Sequence, residues 1–451
     1  MENQKLSFRT KLAYGSGAFG NNLTYGLMTL YLMVFYTDYL GLSPASVGTL
    51  FLVARIWDAI NDPVMGHLVD NTRSRWGQFR PYLLFVPFII GITTTLCFAS
   101  PDFGMTGKLI FAYVTYILWG MSFTAVDIPY WSMSASLTED SKERNSVVMI
   151  PRTLAVVGFN VVAVAALPLV HSLGRGNDRT GFFFTALVFS VGAAFFTLIT
   201  FFGCRENVRT EKKEHNSFKD AFYMVRLNRP LQLVIGGQLL IDIIYSIKGM
   251  FPIYYLKYVL NAEKMIPWFM GMSMVFMLGG CILAPWFCSK LGKKWTTVGG
   301  NLAAAIAGVA FYFTGYGMVS MFVFSAIIIF GTSMANISLM SMLIDTVEYG
   351  EWKTGKRSAG IVFAANTFRA KLSGAIGGAL GAYGLAAVKY VPNVAQTTNT
   401  LEGMHLFFSL IPGVLSLMAT MPYFFYDLTK EKYETILKEV VEKRENQSNA
   451  K

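Results

Sequence analysis

The chain has 451 residues, of which 53% are hydrophobic and only 14% charged, and its formal net charge is +11. This balance is far from that of a soluble globular domain. The four cysteines have no paired spacing in the loops, so they indicate neither a disulfide framework nor a zinc site.

Apolar stretches long enough to cross a bilayer, about 20 residues each, recur along the whole chain. They predict twelve membrane-spanning helices, near residues 11–38, 45–70, 81–99, 108–136, 148–172, 180–203, 231–260, 265–289, 296–314, 318–346, 358–390 and 403–427. The first ten residues are polar and basic and lack an apolar core and a cleavage site, so we expect no cleaved signal peptide. The expected fold class is an all-α membrane protein with 12 transmembrane helices.

The second span carries two carboxylates. Asp58 and Asp62 are about one helical turn apart, so both lie on one face, with Asn61 beside them. An ionised Asp at mid-bilayer costs about 2.5–3.5 kcal/mol, so such a pair is expected to face a polar cavity. Three oxygen-bearing side chains suit a hard cation; the alternative is a salt-bridged packing cluster with Arg55. The sequence therefore predicts that the protein binds a metal cation inside the membrane and uses it for transport.

A second polar cluster lies in the fourth span. Asp127 and Trp131 are one turn apart on one face. A carboxylate accepts hydrogen bonds from hydroxyl groups and an aromatic ring stacks on a pyranose, so the pair predicts a sugar contact; the alternative for Trp131 is packing. Arg152 in the fifth span is expected to donate to sugar hydroxyls or to hold Asp127. Lys371 in the eleventh span needs an anion, and the carboxylates of the second span are the leading candidates.

Basic residues are distributed unevenly between the two sets of loops. The segments on the side of the N-terminus hold 27 Lys and Arg residues, and the loops on the opposite side hold 6. By the positive-inside rule, both termini are expected in the cytoplasm. The basic charge is therefore a topology signal, and nucleic-acid binding is not needed to explain it.

The spans fall into two groups of six around a long polar segment. We expect an N-terminal six-helix bundle at 1–203, a cytoplasmic middle loop at 204–229, a C-terminal six-helix bundle at 230–427 and a cytoplasmic tail at 428–451. The loop 66–77 after the second span has a weaker basic echo, 289–295, after the eighth. A basic turn at the same place in each half indicates a parallel six-plus-six repeat, as in the major facilitator fold.

These residues resemble the melibiose permease type of the glycoside–pentoside–hexuronide:cation symporters, nearly from end to end. The matching stretches are 11–20, 52–66, 72–77, the region of Asp127, 345–351 and 390–394. The resemblance implies a bacterial cytoplasmic (inner) membrane protein. It implies a cation pocket of Asp58, Asn61, Asp62 and Thr124, with Na⁺ on the two carboxylates, and sugar contacts from Asp127, Trp131, Arg152 and Lys371. It also implies a cytoplasmic gate of Arg144, Asp345, Glu348 and Arg357.

The chain departs from the melibiose permeases at several intramembrane positions. Asn22 stands where they carry a sugar-binding Asp, so we expect Asn22 to contact the sugar and melibiose not to be preferred. Asp242, Lys248 and Arg369 are additional charges. They favour an anionic sugar such as a hexuronide if they line the cavity; Arg369 could instead bridge to Asp242, and Lys248 could extend to the membrane surface. A neutral glycoside stays open beside the anionic one.

Together these features predict a secondary active transporter that couples a sugar glycoside to a monovalent cation by alternating access. Na⁺ is the expected coupling ion, Li⁺ or H⁺ are the other candidates, and no cofactor is expected. The alternative is a proton-coupled exporter or drug carrier of the same fold. No nucleotide loop or nucleophile–base pair favours an enzyme.

Overall fold

The computed structural model describes residues 6–137, 141–206, 218–355 and 359–449, and within these ranges it contains helices and no strand. The helices that lead up to the middle of the chain are α1 Phe8–Val34, α2 Pro44–Asn71, α3 Arg80–Cys97, α4 Met105–Leu137, α5 Ser141–Gly174 and α6 Asp178–Gly203. They are followed by α7 Phe218–Leu227, α8 Arg229–Tyr254, α9 Ile266–Phe313, α10 Met318–Thr354, α11 Ala359–Ala387, α12 Thr398–Phe408, α13 Leu410–Phe424 and α14 Lys430–Asn449. The predicted all-α fold is confirmed.

Apart from α7 and α14, the described helices correspond to the twelve predicted spans, and α12 and α13 together form one of them. In the described ranges, eight are long and apolar enough to cross a membrane by length and composition. Helices α1, α2 and α11 are not among them; they carry Asn22, the Asp58–Asp62 pair and Lys371. The long helix α9 is broken at Gly292, whose φ of 82° is left-handed, so it supplies two spans.

Two compact units divide the chain. The first comprises Met1–Lys213 with Lys264–Gly271 and Leu385–Ala395. At its centre, the hydroxyl groups of Tyr14 on α1 and Tyr130 on α4 each donate to the other residue's main-chain oxygen, at 2.7 and 2.5 Å. Their rings stack at 4.7 Å. This reciprocal pair fixes α4 against α1.

The second unit comprises Glu214–Glu263, Met272–Gly384 and Gln396–Lys451. Its core includes buried side chains of α8, α10 and α13. The tail helix α14 packs on this core through Ile436 and Val440, and Trp352 Nε1 donates to Glu439 of the tail at 2.7 Å. The tail is therefore a packed part of the second unit.

The first membrane-spanning helix of each unit ends in the same way. The π-helix Phe35–Tyr39 continues α1, and the π-helix Tyr255–Val259 continues α8. In each, a main-chain N–H donates to the carbonyl five residues earlier, at 2.9 and 3.0 Å. A residue with positive φ then follows, Gly41 at 82° and Asn261 at 49°. The corresponding positions are about 220 residues apart, which agrees with a parallel repeat of two six-span halves.

Candidate cation- and sugar-binding site

Helix α2 separates an apolar face from a polar one. It begins after Ser43, whose hydroxyl accepts from the Ser46 N–H, with Pro44 in the first turn. The side chains of Ile56 and Ile60 are each 58% exposed, as expected for a face that contacts lipid. The side chains of Asp58 and Asp62 are more enclosed and face α4.

The two carboxylates of α2 meet successive turns of α4. Thr124 Oγ1 donates to Asp62 Oδ1 at 3.1 Å. Asp58 lies over Gly120, where an added Cβ would be 3.0 Å from Asp58 Oδ1. A side chain at residue 120 would therefore displace the Asp58 carboxylate. The Nδ2 atom of Asn61 is buried and has no hydrogen-bond partner in the described structure.

Arg55 belongs to the same cluster. Its Nη1 atom lies 3.3 Å from Asp58 Oδ2, and the side chains are 28% and 16% exposed. The salt bridge expected for the alternative interpretation, a packing cluster with Arg55, is therefore present. It engages Asp58, while the hydroxyl of Thr124 engages Asp62, so the two carboxylates have different surroundings.

Asp127 and Trp131 are in direct contact. Trp131 Nε1 donates to Asp127 Oδ1 at 3.0 Å, and the Trp131 indole meets the Tyr130 ring edge-on at 5.2 Å. Because Tyr130 is itself held by the reciprocal bonds to α1, the position of Trp131 is well defined. Thr124 precedes Asp127 by about one turn of α4, so this helix carries residues of both candidate sites.

The remaining sugar candidates do not join this contact in the structure. Asn22 donates through Nδ2 to the Ala18 carbonyl of its own helix at 2.9 Å. Arg152 is exposed, and no hydrogen bond from it to Asp127 is found among the described residues. Lys371 is partly buried on α11 in the second unit.

The described residues include part of the predicted cytoplasmic gate. Asp345 pairs with Lys293, whose Nζ lies 2.6 Å from Asp345 Oδ2 and 2.8 Å from Oδ1. Lys293 was not among the sequence candidates, although it lies in the basic echo 289–295. The Arg144 side chain and all of Arg357 lie outside the described residues.

Arg369 and Asp242 form an ion pair within the second unit. The Arg369 side chain is 5% exposed, and its Nη1 donates to Asp242 and to the Gln238 carbonyl. Its Nε donates to Asn366 Oδ1 at 3.2 Å. The bridge that the sequence left as one alternative is therefore formed, and Arg369 is compensated.

Glu206, which sequence reasoning did not identify, holds the loop before α3. Its carboxylate accepts hydrogen bonds from the main-chain N–H groups of Gln78, Phe79 and Arg80, at 2.8, 2.8 and 3.0 Å. Gly77 has a φ of 114°, and a Cβ there would lie 2.5 Å from Glu206 Oε1. A carboxylate at a helix N-terminus satisfies otherwise unpaired N–H groups.

The stretch 390–394 also acquires a partner. Tyr390 donates through its hydroxyl to Asp38 Oδ1 at 2.5 Å, and Asn393 Nδ2 donates to the Asp38 carbonyl. Asp38 is 6% exposed and also accepts from Thr37 at 2.9 Å. The end of α1 thus holds the segment that follows α11.

Polar clusters inside the apolar spans of a multi-pass helical protein are typical of membrane transporters, because intramembrane charges mark substrate and ion pathways. The chain belongs to the MFS/sugar transport protein family, whose model matches residues 13–430. This supports the expected kinship with the glycoside–pentoside–hexuronide:cation symporters and shows a transporter, not an enzyme.

Similar proteins match over nearly their whole length. An "Uncharacterized symporter YnaJ" of Bacillus subtilis is 34% identical, over 97% of this chain and 95% of its own. A "Putative sulfoquinovose importer" of Escherichia coli is 32% identical, over 98% and 95%. A "Putative 2,3-dihydroxypropane-1-sulfonate exporter" of the same organism is 31% identical, over 97% and 96%.

Solved structures agree on the fold. A bacterial homologue of the human lysosomal transporter Spinster superposes with a TM-score of 0.67 at 12% identity, over 95% of this chain and 97% of the other. At this identity the likeness concerns the fold alone.

Proposed function

We propose that this protein is a sodium-coupled symporter of a sugar glycoside that works by alternating access. The observation that carries the proposal is the contact between Thr124 and Asp62. It joins α2, which holds the candidate cation ligands, to α4, which holds the candidate sugar ligands. Li⁺ and H⁺ are the other candidate coupling ions.

The charge of the α2 cluster favours a monovalent cation. Asp58 and Asp62 contribute two negative charges and Arg55 one positive charge, so the cluster carries a net charge of −1 when all three are ionised. One Na⁺ would neutralise it. The carboxylate and hydroxyl oxygens are hard ligands of the type Na⁺ prefers. Asn61, whose buried amide has an unpaired nitrogen, adds a polar group that an ion could engage once the amide is turned.

The same geometry supplies a route for coupling. A cation on Asp62 and Thr124 would restrain α4 one turn before Asp127, and Asp127 in turn positions Trp131. Sugar binding would restrain the same turn from the other side. By linkage, sodium should tighten sugar binding by the factor by which sugar tightens sodium binding.

In the sugar site, the Trp131 indole would stack on the ring while Asp127 accepts hydroxyl hydrogen bonds. Only Oδ1 of Asp127 takes the bond from Trp131, which leaves Oδ2 for the substrate. Asn22 and Arg152 lie in the same unit as Asp127 and would contribute donors on the substrate's arrival. Lys371 on α11 remains a proposed sugar-binding residue. The relative named for sulfoquinovose, a sulfonated sugar, makes sulfonated glycosides candidates beside neutral ones.

The 27-to-6 distribution of basic residues supports a cytoplasmic-membrane location with both termini inside. We place the bundle boundaries at 1–203 and 230–427, with the middle loop 204–229 and the tail 428–451 on the cytoplasmic side. The Lys293–Asp345 pair would belong to the cytoplasmic gate, together with Arg144, Glu348 and Arg357.

A second candidate function is proton-coupled export on the same fold. It is favoured by the relative that is named as an exporter. An exporter would not need sodium to bind its substrate, and its transport would follow the pH gradient. The sodium dependence of substrate binding therefore separates the two candidates.

Substitutions within α2 test the proposed function. Asp58→Cys and Asp62→Cys should abolish sodium-stimulated sugar uptake into membrane vesicles. Asp70→Cys is the matched control, since Asp70 lies in the same helix but is exposed near its end. Sodium stimulation that survives in either site variant, with expression equal to that of the control, would contradict the assignment.

A further inference from the structure

Lys248 is an intramembrane cation whose ammonium group has no hydrogen-bond partner in the described part of the chain. Its Nζ atom is buried and lies 5.0 Å from the centre of the Phe408 ring. The alternative in which Lys248 extends to the membrane surface is therefore wrong. A ring face attracts an ammonium group, but it satisfies none of that group's three hydrogen-bond donors.

The other additional cation of the second unit is in a different state. Arg369 is compensated by Asp242 and bonded to Gln238 and Asn366. Asp242 is thereby engaged and does not serve Lys248. Of these two basic side chains, only Lys248 has no acidic partner among the described contacts.

We propose that Lys248 binds the acidic group, carboxylate or sulfonate, of the transported sugar. This inference rests on the proposed function and adds the substrate class. A buried ammonium group without partners is unfavourable, so a ligand that supplies both a negative charge and several acceptor oxygens relieves that cost. A neutral sugar supplies hydroxyl oxygens without the charge, and so relieves less of it.

A second donor lies on the same side of α8. Tyr245 is one turn before Lys248, and residues three apart on a helix are neighbours. The Tyr245 side chain is 38% exposed and its hydroxyl lies 3.1 Å from Ser333 Oγ. If Ser333 donates in that bond, the Tyr245 hydroxyl is free to donate to an acidic group held by Lys248.

The inference is tested by competition binding to the purified full chain in lipid nanodiscs at neutral pH with sodium present. The probes are methyl glucoside, methyl glucuronide and methyl sulfoquinovoside. They share the glucose ring and differ only at the sixth carbon, which carries a hydroxyl, a carboxylate or a sulfonate group. The wild-type protein should bind at least one acidic probe about tenfold or more tightly than the neutral probe, which corresponds to about 1.4 kcal/mol. Comparison of the two acidic probes identifies carboxylate or sulfonate as the preferred group.

In Lys248→Met the ratio of acidic to neutral affinity should fall to near one, and Lys248→Arg should retain part of the preference. Lys257→Met is the matched control, because Lys257 lies in the π-helix that continues α8 and contacts the Tyr258 ring. It should keep the wild-type ratio. A wild-type ratio near one, or a preference that persists in Lys248→Met, would overturn the inference.

The proposed function fails in a different way. If the neutral probe binds in a sodium-dependent manner and the acidic probes bind no better, the symporter proposal stands and the role of Lys248 is refuted. If substrate binding does not depend on sodium, while Lys248→Met still removes the acidic preference, the role of Lys248 stands and the coupling proposal fails.

Discussion

Thr124→Val removes one hydroxyl group from the contact between the two candidate sites. Valine has nearly the shape of threonine, and residue 124 is 8% exposed, so packing should change little. The hydroxyl donates to Asp62 Oδ1 at 3.1 Å and keeps two lone pairs for a cation. The substitution thus removes one candidate cation ligand and one positioning bond while it leaves both carboxylates in place.

The size of the effect follows from the kind of interaction that is lost. A hydrogen bond to a charged group is worth about 1.5–3 kcal/mol, and we assign a similar value to the contact of the hydroxyl with the cation. Since 1.4 kcal/mol is about tenfold in affinity, sodium affinity should fall by about 10- to 100-fold. Sugar affinity at saturating sodium should change much less, because Asp127 and Trp131 remain bonded to each other.

The assay is isothermal calorimetry of sugar binding at a series of sodium concentrations, with purified protein in nanodiscs. In Thr124→Val the sodium concentration for half-maximal effect should shift upward by the stated factor. Thr124→Ser, which keeps the hydroxyl, should stay close to wild type. An equal sodium dependence in Thr124→Val and wild type would refute the reasoning that places the cation at this contact.

Three further predictions concern contacts outside the candidate cation site. Arg369→Gln should lower stability by about 3–5 kcal/mol because it leaves the partly buried Asp242 without its partner. Adding Asp242→Asn should restore much of that stability, and no recovery of the melting temperature in the double variant would contradict this. Glu206→Ala removes the acceptor of three N–H groups at the start of α3, so it should lower the free energy of unfolding by about 1–2 kcal/mol. The stability of Glu206→Gln should lie between those of wild type and Glu206→Ala, and equal melting temperatures for the three proteins would contradict the prediction. Tyr390→Phe removes the hydroxyl bonded to Asp38, so amide hydrogen exchange in 385–395 should accelerate about tenfold or more, and unchanged exchange would show that the bond does not hold the segment.

The fold was predictable because a bilayer admits few solutions. Apolar stretches of about 20 residues must be helices, since lipid offers no partner for main-chain groups. The spans that hydropathy alone misses, α1, α2 and α11, each carry polar residues that are candidates for function. The sequence also predicted that Asp58 and Asp62 share one face of α2, and that Asp127 and Trp131 share one face of α4. Residues three or four apart are neighbours on a helix.

Some contacts between distant residues were not predictable. Along the sequence, Glu206 is about 128 residues away from the N–H groups that donate to it, and Tyr390 is about 350 residues away from Asp38. No local pattern marks such pairs. Lys293 was noticed only as part of a basic turn, because a single sequence does not reveal which carboxylate a basic side chain will meet.

The extra charges of the second unit show the same limit. Sequence position left open whether Asp242, Lys248 and Arg369 face a cavity, bridge to one another or extend to the surface. Packing decided that Arg369 pairs with Asp242, while Lys248 stays buried against Phe408. The balance of charge around a substrate therefore depends on pairing, which composition does not reveal.

The central claim, sodium-driven sugar symport, is tested most directly by paired flux measurements. Purified protein in proteoliposomes would be given an inward sodium gradient, and the uptake of labelled sugar and of ²²Na⁺ would be followed together. The proposal predicts that sugar accumulates above its outside concentration, in a fixed ratio to sodium, and that collapsing the sodium gradient abolishes accumulation. Accumulation that ignores sodium and follows an imposed pH gradient would contradict it.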